Sequence, residues 1–260
     1  CGTDPLNASD YPLDIDGDGL CAPYDDDDDG DGVDDVDDAF PNDPNGFVQL
    51  TLGDGFQAGQ PLDNVSIGGT GQSTCAILTS GALKCWGINN YGNLGDGTTE
   101  STCDTGPSSC TPPVSVDLGT GRTAVAISLG NIHSCAVLDD ASLKCWGNNI
   151  FGQLGQESGG MGIHVMGIGD EAGEMGDNLS ITNLGTNGRA IQLSLGSFHT
   201  CALLSTGMVK CWGHNGYSQL GLGDTSTRGD GIGEMGDNLP TVDLGTDKTA
   251  IRIATGSLHS

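Results

Sequence analysis

Between residues 14 and 38 aspartates recur at alternate positions, and glycine interrupts them at fixed places. Counted from Asp14, Asp16 stands at position 3, Asp18 at 5, Gly19 at 6 and Asp25 at 12. Counted from Asp27, Asp29 stands at position 3, Asp31 at 5, Gly32 at 6, Asp35 at 9 and Asp38 at 12. That is the D-x-D-x-D-G scheme of a calcium loop. Alternate carboxylates point inward, glycine permits the sharp turn, and the backbone carbonyl at position 7 (Leu20, Val33) adds a ligand. These residues are candidate metal ligands, with Ca2+ as the expected cofactor. Ala22 at position 9 of the first loop leaves a ligand to water, so the first site is expected to be the weaker. Pro23 and Pro41 interrupt where the exiting helices of an EF-hand would run, which argues against that frame. A solvated acidic linker is the alternative.

Cysteine is the second reactive type. The ten cysteines fall in local pairs: Cys1/Cys21, Cys75/Cys85, Cys103/Cys110, Cys135/Cys145 and Cys201/Cys211. Zinc would require CxxC knuckles or Cys/His clusters, and neither occurs. Local pairing at a repeated separation points to disulfides and to an oxidising, extracytoplasmic compartment. Buried free thiols are the alternative, because cysteine packs well as a small hydrophobe.

Other candidates point to structure rather than catalysis. His133, His199 and His259 recur just before the cysteine position, where the first copy has Ser73, so a structural hydrogen bond is expected of each. The motif GEMGDNL at 173–179 and 233–239 places Asp170, Glu174 and Asp177, then Asp230, Glu234 and Asp237, where a cation could sit. Arg228-Gly229-Asp230 spells an adhesion tripeptide, but the preceding copy reads Ile168-Gly169-Asp170, which assigns Gly-Asp to the repeat. No carboxylate pair or Ser-His-Asp order stands out, and the chain reads as non-enzymatic.

The surroundings of these residues narrow the function. Net charge is −27, and 16 of the 35 acidic residues lie in residues 1–45, which hold no Lys or Arg. Such a surface repels phosphate backbones, so nucleic acid is not an expected partner, whereas multivalent cations are attracted. No apolar run approaches 18 residues, so no membrane span is expected. The sequence opens on Cys1 and stops inside a repeat, and further repeats are expected past Ser260.

The elements that must position these side chains are repeated. HSCAVLDDASLKCWGNNIFGQLG (133–155) recurs as HTCALLSTGMVKCWGHNGYSQLG (199–221) and earlier as STCAILTSGALKCWGINNYGNLG (73–95). In each copy two short strands flank a turn, and folding about Ser80, Asp140 or Thr206 sets the two cysteines opposite one another. Directly opposed residues of an antiparallel pair lie within disulfide reach, so one cross-strand bridge per hairpin is expected. TAVAISLG (123–130), AIQLSLG (190–196) and AIRIATG (250–256) supply another strand per copy. VSVDLG (114–119), SITNLG (180–185) and PTVDLG (240–245) supply a fourth. Four short strands per copy with glycine-rich connections indicate an all-β chain of propeller blades. Trp86, Trp146 and Trp212 recur at one blade position, which assigns them to packing between blades.

GNIHSCAVL…LKCWGNNIFGQLG resembles the repeat of the regulator of chromosome condensation family. The resemblance implies a partial seven-bladed-type β-propeller over 46–260, with three blades and the start of a fourth from about residue 250. DDDDDGDGVDDVDDAFPNDP resembles the thrombospondin type 3 repeat, which implies an irregular acidic calcium-binding repeat over 1–45. Phe40 stands where that family has cysteine, and Cys1–Cys21 is the expected substitute. The founding exchange activity on a small GTPase carries over poorly to a chain this acidic and cysteine-paired. The expected function is therefore an extracellular or cell-surface recognition, adhesion or scaffold module that binds a protein or glycan ligand through its loop face. The alternative is an accessory domain of a larger secreted enzyme.

Overall fold

The computed structural model describes residues 65–67, 73–78, 80–102, 111–156 and 167–260, the first of these by backbone only. All belong to the compact unit Thr51–Ser260. The candidate calcium ligands at 14–38, Cys1, Cys21, Cys103 and Cys110 lie outside the described residues.

The repeats fold as antiparallel sheets, and each sheet is one blade. β1 (Val65–Ile67), β2 (Ser73–Ile77), β3 (Leu83–Gly87) and β4 (Val114–Ser115) form a four-stranded sheet in chain order. β5 (Ala124–Leu129), β6 (His133–Leu138) and β7 (Leu143–Gly147) form the second sheet. β8 (Ala190–Leu195), β9 (His199–Leu204) and β10 (Val209–Gly213) form the third. The hairpin register is the one the turns predict: Cys75 faces Cys85, Cys135 faces Cys145 and Cys201 faces Cys211. Each pair is disulfide-bonded with Cα atoms 4.1 Å apart, the close spacing of a non-hydrogen-bonded antiparallel pair. The first strands of blades two and three carry the same bulge, between Ala124 and Ala126 and between Ala190 and Gln192. Such a bulge bends and twists the strand beside its partner.

Two expectations need correction. The fourth strand is a full element in no blade. β4 has two residues, and its counterparts are single bridges, Lys144 to Ile181 and Lys210 to Thr241. Prolines at 112, 113 and 240 lack the N–H a longer ladder needs. Asp117, Asn183 and Asp243 each accept from the glycine N–H two residues on, which turns the chain away. Residues 250–256 are likewise not a strand. They lie beside β8 through side-chain bonds instead, with Ile253 N–H donating to Gln192 Oε1 and Thr255 N–H to Ser194 Oγ. Only two residues of the hairpin strand that would pair with them, His259 and Ser260, are present in this sequence.

The core lies between blades. Leu83, Leu94 and Leu118 of the first blade pack with Ile127, Leu138 and Trp146 of the second. Val137, Leu143 and Leu154 of the second pack with Leu193, Leu204 and Trp212 of the third. Trp146 and Trp212 are fully buried, as their repeated position predicts, and Trp86 is half-buried.

Candidate functional site

Three side chains and one backbone carbonyl lock the second blade to the third. Trp212 Nε1–H donates to the Gln153 carbonyl of the preceding blade at 3.0 Å, and Thr200 Oγ1 donates to the same oxygen at 2.9 Å. His133 Nε2 lies 2.9 Å from Thr200 Oγ1. The hydroxyl has one proton and spends it on Gln153, so His133 must carry its proton on Nε2. Trp146 and Ser134 converge on the Asn93 carbonyl in the same way, and Ser260 bridges His199 to the Gln219 carbonyl. Burial, with the nearby His199 opposing a second charge, pushes His133 down to about 3. Burial, with His214 and His259 nearby, pushes His199 down to about 4. Both rings are neutral and structural near pH 7. They also explain the Gly-x-x-His spacing: a Cβ on Gly130 or Gly196 would collide with the ring of His133 or His199.

The lysine before the second cysteine ties the same seam and was missed in the sequence. Lys144 Nζ donates to the carbonyls of Leu118 and Gly176, and Lys210 Nζ to those of Leu184 and Gly236. Burial lowers Lys210, while the adjacent Asp237 raises it. Three of only eight basic residues occupy this one repeat position, which was the available signal. The acidic loops are also divided among structural tasks. Asp177 accepts from Thr120 N–H and Oγ1, and Asp237 from Thr186 N–H and Oγ1, each on the preceding connection. Glu174 Oε2 caps the N–H groups of Gly169 and Glu171, and Glu234 Oε2 those of Gly229 and Gly231. Asp170 meets Glu174 and Asp230 meets Glu234, but Asp177 and Asp237 are spent on the preceding connection, so the three acids are not brought together. Among the described residues no three His, Cys, Asp or Glu side chains gather as metal ligands.

One end of the blades, where first and third strands finish, presents the loops 88–102, 148–156 and 214–228 with the short turns 130–132 and 196–198. A repeated pair of amides shapes the second and third of these long loops. Asn149 Oδ1 accepts from Leu154 N–H, and Gln153 Oε1 accepts from Phe151 N–H. Asn215 and Gln219 do the same for Leu220 and Tyr217. These two loops therefore lift Phe151 and Tyr217 to their tips; the first loop keeps only the Asn89 Oδ1 to Leu94 N–H bond and carries Tyr91 at the same repeat position. Phe151 meets Phe198 edge-on at 5.5 Å and His214 at 4.7 Å, and His214 meets Tyr217 at 5.9 Å. Gln219 Nε2 donates to His214 Nδ1, which leaves the other ring nitrogen as a donor at the surface. Tyr217 is 69% exposed and Ile150 53%. This rigid aromatic ridge joins two blades, so no single copy reveals it in the sequence.

Acidic loops flank the ridge. Gly92 (φ +71°) and Gly152 (φ +73°) leave no room for a Cβ, because the backbone of Asp170 and of Asp230 packs directly on them. Burial first, then the hydrogen bond and charge of Glu174, raises Asp170; burial and Glu234 raise Asp230. Arg228 is held by the Asp224 carboxylate at 2.7 Å and its backbone pairs with Gly213, while Gly229 is buried. Ile168 pairs with Gly147 in the same way, so the tripeptide at 228–230 follows the repeat rather than forming a free loop.

A family model described as "Regulator of chromosome condensation (RCC1) repeat" matches residues 124–153 and 190–219, and another of the same description matches 80–137. The chain carries regulator of chromosome condensation repeats. The matched segments contain the second and third hairpins with their disulfides and the locking His and Trp. A chain of the yeast Prp20p crystal structure, reported with its binding to Gsp1p and histones, superposes with a TM-score of 0.54 at 19% identity, covering 76% of this chain and 42% of that one. The structure of Kap60 bound to yeast RCC1 (Prp20) gives 0.53 at 18% identity, over 76% and 41%. These two likenesses establish the β-propeller fold. Human E3 ubiquitin-protein ligase HERC2 is 25% identical over 203 residues, 78% of this chain and 4% of that protein. Human HERC4, a probable E3 ubiquitin-protein ligase, is 30% identical over 151 residues, 58% of this chain and 12% of that protein. This chain thus spans only a small part of these much longer relatives. No described helix is long and apolar enough to cross a membrane.

Proposed function

We propose that this chain is a non-catalytic recognition module of an oxidising, extracytoplasmic compartment, which binds a protein or glycan partner through the aromatic end of its blades. One observation carries the reading: a repeated Asn/Gln framework lifts an aromatic to the tip of two neighbouring loops and leaves Tyr217 and Ile150 in solvent. A monomeric surface that spends ordered hydrogen bonds to expose apolar side chains is a binding surface by default. The cross-strand disulfides support the compartment, since such bonds persist where thiols are not kept reduced. Residues 14–38 would form a calcium-stiffened spacer, with Asp14, Asp16, Asp18, Leu20 and Asp25 on one ion and Asp27, Asp29, Asp31, Val33, Asp35 and Asp38 on another. Cys1–Cys21 and Cys103–Cys110 would add two further bridges.

The small share of the HERC relatives covered by this chain favours a second reading, an accessory domain within a larger secreted enzyme. Both readings place binding on the same loops. Peptide and glycan arrays probed with the chain and with an Ile150→Ser/Tyr217→Ser variant test them together. Ligands lost by the variant support the reading; an array pattern identical for both proteins rejects it.

A further inference from the structure

The aromatic ridge and the charges around it narrow the partner's chemistry, an inference that rests on the recognition reading above. The chain has eight Lys and Arg residues, and their positions are uneven. Lys84, Lys144 and Lys210 lie within third strands. Arg122, Arg189 and Lys248 lie in connections that precede first strands, at the opposite end of the blades, and Arg252 lies beside β8. Only Arg228 belongs to the loops at the ridge, and Asp224 neutralises it.

These loops hold Asp96, Glu100 and Asp224, and the acidic loops that flank them hold Asp170, Glu171, Glu174, Asp230 and Glu234. Glu100 and Glu171 are exposed, and the carboxylates of Asp170 with Glu174, and of Asp230 with Glu234, are crowded against each other. The end of the propeller therefore presents π faces inside a rim of one sign. An anionic partner would be repelled there, and a neutral one would leave the rim unused. A cationic side chain satisfies both features, because it is attracted to an aromatic face by the ring quadrupole and to the carboxylates by charge. Tyr217, Phe151 and Phe198 come from two blades and form a continuous ridge, which suits an extended segment better than a single ion.

We infer that the aromatic end of the blades docks a basic peptide segment, with Lys or Arg side chains laid over Tyr217 and Phe151 and paired with the flanking carboxylates. The probe is fluorescent octa-arginine, with octaglutamate and a Gly-Ser octapeptide as controls, titrated against the 260-residue chain at two salt concentrations. Octa-arginine should bind with an affinity that falls as salt rises, and octaglutamate should not bind. Ile150→Ser/Tyr217→Ser and Glu100→Gln/Glu171→Gln should each weaken binding about tenfold. Asp247→Asn, which removes one charge at the opposite end, should leave it unchanged.

The acidic run at 14–38 can also attract octa-arginine. Binding that all the variants share equally would place the peptide on that run and overturn the inference, without bearing on the ridge as a recognition surface. Loss of a neutral peptide or glycan in Ile150→Ser/Tyr217→Ser, with octa-arginine unaffected, would overturn the basic-segment inference and leave the recognition reading standing. If neither octa-arginine nor any arrayed ligand distinguishes the variant, both fall.

Discussion

Thr200→Val tests the interblade lock at its most exposed assumption, the direction of two hydrogen bonds. Thr200 is fully buried, gives its proton to the Gln153 carbonyl and accepts the Nε2 proton of His133. Valine keeps the branched shape and removes only the hydroxyl. Gln153 would keep the Trp212 indole at 3.0 Å, so the carbonyl stays paired. His133 would not. It is 1% exposed, and its Nδ1 already lacks a partner. After substitution neither ring nitrogen would be paired in a site that water does not reach. A lost hydrogen bond of about 1 kcal/mol and an orphaned N–H of about 1–3 kcal/mol give an expected loss of about 2–4 kcal/mol. Urea unfolding followed by tryptophan fluorescence measures it. Thr74→Val is the matched control, because Thr74 holds the equivalent position in the first blade and is half-buried. It should cost less than about 0.5 kcal/mol. Equal effects of the two substitutions would refute the lock. So would a nitrogen-15 spectrum showing the proton of His133 on Nδ1.

Four further outcomes follow. His133 and His199 titrate near 3 and 4 when folded, below the ordinary 6.5, so the unfolded chain binds more protons as pH drops and stability should decline from about pH 6.5 downward; a urea midpoint that is flat between pH 7 and 4 would contradict their burial. Replacing Cys135 and Cys145 by Ser opens a bridge across 10 residues and should cost about 3 kcal/mol, and peptide mapping without reductant should recover that pair linked. Lys144→Met strips a charge-assisted donor from two carbonyls and should cost about 2–3 kcal/mol, whereas Lys84→Met, whose ammonium bonds only the exposed Ser115 hydroxyl, should be near neutral. Calorimetry of the whole chain with Ca2+ should give about two sites, and no heat at millimolar calcium would reject the spacer.

Much of the blade was legible because two local constraints agree. The cysteine spacing and the turn residues between them demand one register, and a slip by one residue would put every side chain on the wrong face. Cys135–Cys145 and its counterparts therefore fell where the turn placed them. VSVDLG and PTVDLG misled because their alternation is that of a strand, while the prolines and the Asp-x-Gly turn that cut pairing short act on hydrogen bonds, not on hydropathy. His133 and Trp212 were legible as structural from repetition alone. Their partners were not, since Gln153 contributes its backbone carbonyl, which sequence cannot distinguish from any other. The aromatic ridge escaped for a related reason: Phe151 and Phe198 are 47 residues apart and meet only across a blade boundary.

The seam between blades has a consequence for how such chains lengthen. The second copy carries a histidine and a carbonyl for its successor, and a hydroxyl and an indole for its predecessor. Duplicating one copy therefore creates a finished joint at both ends in a single genetic event, with no compensating change elsewhere. None of these four groups lies in residues 167–189, which lead to the next blade, so loop residues gained there leave the joint itself intact.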